Sequence, residues 1–187
     1  MADQATKDMR RRFTKAAAIF FIIIAVLSGL LIWWFFAAKI SLISVQGDSM
    51  EPTFHSGDTV VLKQSFQVKK GMIAVFPKPA SWDYLGTGHP ELVKRIVAGG
   101  NSVLFYDGSK LYVDGQMVYD LKAHSYPCTA GPVGYSHKLS QNQIFAMGDN
   151  HSVSLDSLRI FCDGHPEDAF IPFKSVVAYG TVERIFK

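Results

Sequence analysis

Cysteine is scarce in this chain: Cys128 and Cys162 are the only two among 187 residues. Neither has a ligand-like neighbour, and the six histidines are scattered, so the spacing of a metal site is missing. A basic face is missing as well. The formal net charge is +3, but Lys7, Arg10, Arg11, Arg12 and Lys15 crowd the N-terminus and the remainder is close to neutral. A nucleic-acid partner needs its basic residues on the folded domain, so that class is set aside. There is no internal repeat. Long apolar runs are rare too; the chain has one.

That run, residues 16–38, carries no charge. As a helix it is about 35 Å long, enough to cross a hydrocarbon core of about 30 Å with some tilt. Trp33, Trp34, Phe35 and Phe36 give it an aromatic belt at the far end, and the basic cluster precedes it. The positive-inside rule then places residues 1–15 in the cytoplasm, 16–38 in the lipid bilayer and 39–187 outside. A cleaved signal peptide would have a shorter apolar core and a small-residue exit. Arg11-Arg12-Phe13 is similar to a twin-arginine signal, but the long run fits that poorly. A retained signal anchor is the expectation.

Residues 39–187 suffice for one domain with a sizeable core. Short apolar runs at 42–46, 59–62, 72–76, 92–97, 103–106, 111–113, 143–147 and 175–185 are separated by Gly, Pro and Asp. They predict a mainly β domain, with a hairpin over Asp107-Gly108-Ser109-Lys110 and no amphipathic helix beyond the anchor. Residues 81–90 are expected to form a loop whose Trp82, Tyr84 and Leu85 make a surface apolar patch. Residues 126–134 form another, carrying Cys128. If the outer compartment oxidises thiols, Cys128 and Cys162 can pair; two free thiols are the alternative.

Two stretches carry chemistry. Gly47-Asp48-Ser49-Met50-Glu51-Pro52-Thr53 sets a serine between a glycine free to take positive φ and a proline of fixed φ. This is either a solvated turn or a shaped platform for a nucleophile. Along 92–97 side chains alternate faces, so Lys94 shares a face with Leu92 and Ile96, and Arg95 points the other way. A lysine on an apolar face either snorkels or is buried. Burial lowers its pKa, and a desolvated lysine beside a serine is a workable general base for acyl transfer.

Together these residues resemble the type I signal peptidase family. Gly47 to Thr53 looks like its nucleophile box, Gly57-Asp58-Thr59-Val60-Val61 like the box that follows, and Lys70-Gly71-Met72-Ile73-Ala74-Val75-Phe76 like the next strand. Val93-Lys94-Arg95-Ile96-Val97 resembles the lysine box. Met147-Gly148-Asp149-Asn150, running to Ser154-Leu155-Asp156-Ser157, resembles the last. The departures are these: Ala98-Gly99-Gly100-Asn101 replaces a Leu-Pro-Gly-Asp continuation, Met72 replaces a common Asp, and His151 stands where an arginine is usual. A later arginine of the last box falls on Leu158, with Arg159 one place late. Gly47 replaces the serine that helps some members bind the oxyanion. The short chain and divergent boxes look more like the branch encoded with conjugative transfer and pilus systems.

The resemblance implies a signal-peptidase-like β-barrel or sheet domain behind one transmembrane helix, in the bacterial inner membrane with the catalytic domain periplasmic. It implies Ser49 as nucleophile, Lys94 as general base and the Ser49 backbone N–H as oxyanion donor. Ser154 would hydrogen-bond and orient Lys94, and Asp156 would support the box through a charge pair with Arg159 or Arg95. Asp149 and Asn150 would hold the loop, without metal or cofactor. Substrates would be exported precursors cut after small residues, or a pilin, ending in hydrolysis or ring closure. Two readings of other kinds stay open: a decayed, membrane-anchored assembly factor, and a hydrolase with His151 as base oriented by Asp149 or Asp156. Lys63 is a less favoured base. A self-cleaving repressor relative is disfavoured by the anchor.

Overall fold

The computed structural model describes residues 2–37, 40–65, 67–85 and 91–186. The chain divides into two units, Met1–Ile40 and Ser41–Lys187. In the first, the described residues before Ile40 form a single helix, α1 (Ala2–Ala37). Its stretch Ala17–Trp34 is long and apolar enough to cross a membrane. No polar stripe breaks that stretch, which is the pattern of a helix surrounded by lipid rather than packed on a core. The expected end of the anchor at Ala38 lies outside the described residues.

The second unit is mainly β, as the apolar runs predict. Its strands are β1 (Ile40–Ser44), β2 (Thr59–Gln64), β3 (Ile73–Pro77), β4 (Glu91–Ala98), β5 (Val103–Tyr106), β6 (Lys110–Val113), β7 (Gln116–Asp120), β8 (Tyr135–Lys138), β9 (Gln143–Met147), β10 (Ile171–Pro172) and β11 (Ala178–Phe186). Among the described residues they form two sheets, one of seven strands in the order β1-β2-β11-β3-β4-β9-β10 and one of four in the order β7-β6-β5-β8. The described strand pairs are antiparallel. The predicted hairpin is β5–β6, and the Asp107 carboxylate closes its turn by accepting from the backbone N–H groups of Ser109 and Lys110.

β3 shows why its run is continuously apolar. Ile73 and Val75 join a core with Val45, Met50, Phe54, Val60 and Leu62. Ala74 and Phe76 alternate to the opposite face and a larger core that holds Phe145, Phe161 and Phe170. A strand covered on both faces cannot show the polar–apolar alternation of a half-exposed one. β4, beside it, buries only Leu92, Lys94, Ile96 and Ala98, the face predicted for Lys94.

Several expectations are corrected. Residues Ala80–Leu85 form a 3-10 helix, and Trp82 is wholly buried rather than part of a surface patch. Its indole N–H donates to the Asp168 carbonyl at 2.9 Å, and its ring meets Phe76 edge-on. Buried on both counts, the aromatic body has packing and the polar tip has a partner. A second helix, α2 (Ser157–Cys162), follows the last box; at six residues it is too short to show a helical period. β7, β8 and β10 lay outside the predicted runs. β8 is polar and half exposed, and β10 has two residues.

Cys128 and Cys162 are joined by a disulfide. Cys162 ends α2 and is fully buried, so the bridge ties the loop before β8 to the far end of the last box.

Candidate active site

The serine turn is shaped by its own backbone. The Val45 N–H donates to the Asp58 carbonyl at 2.8 Å, and the Val45 carbonyl accepts from Gly57 at 2.9 Å, which closes the segment between β1 and β2 into a loop. Gly47 has φ +77° and donates its N–H to the Ser56 hydroxyl. The Glu51–Pro52 peptide is cis. Met50 and Phe54 are buried in the smaller core, with the Phe54 N–H on the Met50 carbonyl at 2.9 Å. Ser49 is thus carried on a turn pinned from below on both sides.

Lys94 reaches that turn from β4. It is only 2% exposed, and its Nζ lies 2.6 Å from Ser49 Oγ. Burial pushes its pKa down to about 8 from 10.5, against the opposing pull of the Asp156 and Asp149 carboxylates.

The last box locks onto both elements. β9 pairs Met147 with Arg95, which delivers Gly148, Asp149 and Asn150 to the serine turn. The Asn150 N–H donates to the Ser49 carbonyl at 3.0 Å. Asp149 accepts from Arg95 at 2.8 and 2.6 Å and from the Thr53 hydroxyl at 2.6 Å. Burial alone would raise the Asp149 pKa; the hydrogen bonds and the Arg95 charge outweigh it and hold the carboxyl below its usual range. The same Asp149 hydrogen bond raises the pKa of Arg95. Gly148 has no room for a side chain, since a Cβ there would collide with Ser154 Oγ and the Ser49 carbonyl.

Asp156 supports the box through backbone contacts. Arg95 is engaged by Asp149, and Asp156 caps α2, accepting from the backbone N–H groups of Arg159 at 3.1 Å and Gly148 at 2.8 Å. The expected hydrogen bond from Ser154 to Lys94 is not formed; Ser154 Oγ is buried without a partner. His151 does not line the cleft around Ser49. It packs against Tyr119, and burial lowers its pKa. Lys63 is exposed on β2.

Sequence reasoning missed Thr53 and Arg95 as partners of Asp149. The available signal was Arg95 itself, placed on the opposite face of β4 from Lys94 and needing a carboxylate there.

Ser49 and Lys94 open into a cleft of about 450 Å³ with walls at residues 42–48 and 91–94. Among the described residues, both walls present strand edge with no strand beyond it over the cleft. The Val45 main-chain groups bond towards residues 57 and 58, so those of Ser44 and Gln46 point the other way. On β4, the Ile96 N–H and carbonyl bond to Met72 and Gly71, and β9 ends opposite Arg95. The N–H and carbonyl groups of Val93 and Glu91 therefore face the cleft with no strand beyond them among the described residues.

Residues 13–185 match the signal peptidase family, peptidase S26. The chain belongs to that family. Over 154 residues it is 28% identical to a signal peptidase I of Bacillus amyloliquefaciens, covering 71% of this chain and 76% of that one. A crystal structure of a signal peptidase I from Enterococcus faecalis V583 aligns at 19% identity with a TM-score of 0.40, covering 62% of this chain and 97% of that one. Membership makes the chain, at the level of its family, a serine peptidase of the signal peptidase type.

Proposed function

We propose that the chain is a membrane-anchored signal peptidase that cuts exported precursors with a Ser49–Lys94 dyad. The observation that carries this reading is the 2.6 Å contact between a buried lysine and the serine of the turn. With a pKa of about 8, about a tenth of Lys94 is neutral at pH 7, against less than a thousandth for an ordinary lysine. Neutral Lys94 takes the Ser49 proton as Oγ attacks the scissile carbonyl. The backbone N–H of Ser49 faces the developing oxyanion. The ammonium then gives its proton to the departing amine, and Lys94 takes one from the water that releases the acyl group.

A precursor segment would bind as an added strand, its backbone meeting Ser44 and Gln46 on one side and Glu91 and Val93 on the other. Small residues before the cut suit such a groove, whose floor is Met50, Val75 and Leu155.

The retained anchor puts residues 1–15 in the cytoplasm, 16–38 in the membrane and 39–187 in the periplasm. Added protease is expected to digest the large domain in spheroplasts and leave it intact in cells with an outer membrane.

Ser49→Ala and Lys94→Ala are each expected to abolish precursor cleavage while the protein stays folded and membrane-bound, whereas His151→Ala keeps activity. An inactive His151→Ala beside an active Lys94→Ala would replace the dyad with the histidine mechanism. A wild type that binds precursors without cutting them would favour the assembly-factor reading.

A further inference from the structure

The cleft is electrically uneven. Among the described residues, three ionisable side chains line it: Asp48, Glu91 and Lys94. Lys94 is buried and engaged with Ser49. Asp48 and Glu91 are exposed. Among the described residues, no ion pair or hydrogen bond engages either carboxylate. They stand on opposite walls, Asp48 directly before the nucleophile and Glu91 at the start of β4.

We infer that Asp48 and Glu91 make this cleft select peptide segments with a lysine or arginine close to the scissile bond and reject acidic ones. The inference rests on the cleft being the peptide site. An extended segment lying on the open edge of β4 pairs along Val93 and Glu91, so one of its residues comes directly opposite Glu91. Side chains opposite each other on paired strands have Cβ atoms about 4.5–5.5 Å apart, where opposite charges attract and like charges repel. Residues flanking the attacked carbonyl must also pass Asp48, because it adjoins Ser49 in the chain. Lys94, the cation among the described lining residues, is buried and engaged with Ser49, so it lies beneath the rim where the two exposed carboxylates stand. Each exposed pair is worth about two- to fivefold in affinity, so exchanging a lysine for a glutamate within reach of both carboxylates changes affinity by about tenfold.

The test measures binding rather than turnover. Full-length Ser49→Ala protein in neutral detergent is titrated with fluorescent, alanine-rich peptides in which one residue at a time, over three positions on each side of a central alanine, is Lys, Gln or Glu. At low salt, one or more positions should bind Lys about tenfold more tightly than Glu, with Gln between. In about 0.5 M NaCl screening should shrink that ratio to below about threefold. Asp48→Asn/Glu91→Gln should remove the preference, and Asp48→Lys/Glu91→Lys should reverse it, an outcome misfolding cannot produce. Equal affinities for Lys and Glu peptides at every position, or a preference that survives the neutral double variant, would overturn the inference. An error in the dyad shows separately, as cleavage retained by Ser49→Ala, and leaves the affinity ratio untouched.

Discussion

The guanidinium of Arg95 holds the carboxylate of Asp149 at two points, 2.8 Å from Nε to Oδ1 and 2.6 Å from Nη2 to Oδ2. Its third contact, from Nη1 to the Gly71 carbonyl at 2.9 Å, braces the guanidinium against the turn before β3. Asp149 in turn takes the Thr53 hydroxyl. The residue after Lys94 and a residue just past Ser49 therefore share one carboxylate, and this fixes the base relative to the nucleophile.

Asp149→Asn should therefore lower both stability and turnover. The pair is partly exposed, at 32% for the Arg95 side chain and 16% for Asp149, so the loss is discounted from that of a fully buried pair to about 1–2 kcal/mol. Because folding depresses the Asp149 pKa, its contribution is present above the unfolded carboxyl pKa of about 3.9. It is lost as pH falls through the folded value. Melting curves of wild type and Asp149→Asn in detergent should differ at pH 7 and converge in acid.

Lys94 presents the opposite sign. Folding lowers its pKa to about 8, so at pH 7 the folded protein holds a buried cation at a cost on the order of 3 kcal/mol. That penalty is relieved as pH rises from about 8 towards the unfolded value of about 10.4. Lys94→Met should lose cleavage yet melt higher than wild type at pH 7, with the gap closing by about pH 10. In wild type, kcat/KM should climb about tenfold per pH unit below pH 8 and then level off.

Gly148→Ala should inactivate without unfolding. The added methyl meets the Ser49 carbonyl and Ser154 Oγ, so the nucleophile turn or the last box must shift. A misplacement on the order of 1 Å at a catalytic group lowers rates by about a hundredfold. Wild-type kcat in Gly148→Ala would show that the contact between box and turn has slack.

Reduction of Cys128–Cys162 should lower melting temperature and activity together. The bridge joins residues 34 apart, and a loop of that size is worth about 4 kcal/mol on the chain-entropy account. The route to the site is short: Cys162 ends α2, Asp156 caps its start, and Asp156 also holds the Gly148 N–H. Near-complete thiol labelling of the native, unreduced protein at both cysteines would refute the bridge.

The signals readable along the chain were those that depend on neighbours within a few residues. The uncharged run at 16–38, the apolar runs of the strands, the Asp107 turn and the placement of Lys94 and Arg95 on opposite faces of β4 all follow from local period and backbone chemistry. The order of the boxes then pointed to the family. What local pattern could not supply was which elements meet. Arg95 and Asp149 are 54 positions apart, and Thr53 and Asp149 are 96 apart; they come together because β9 lies beside β4 in the sheet. The same reason explains Trp82, which sits in a polar loop by sequence but is covered by Phe76 and the Asp168 carbonyl. Period and propensity act through one segment at a time, whereas burial and partner choice belong to surfaces assembled from distant ones, and only the packed sheets determine those.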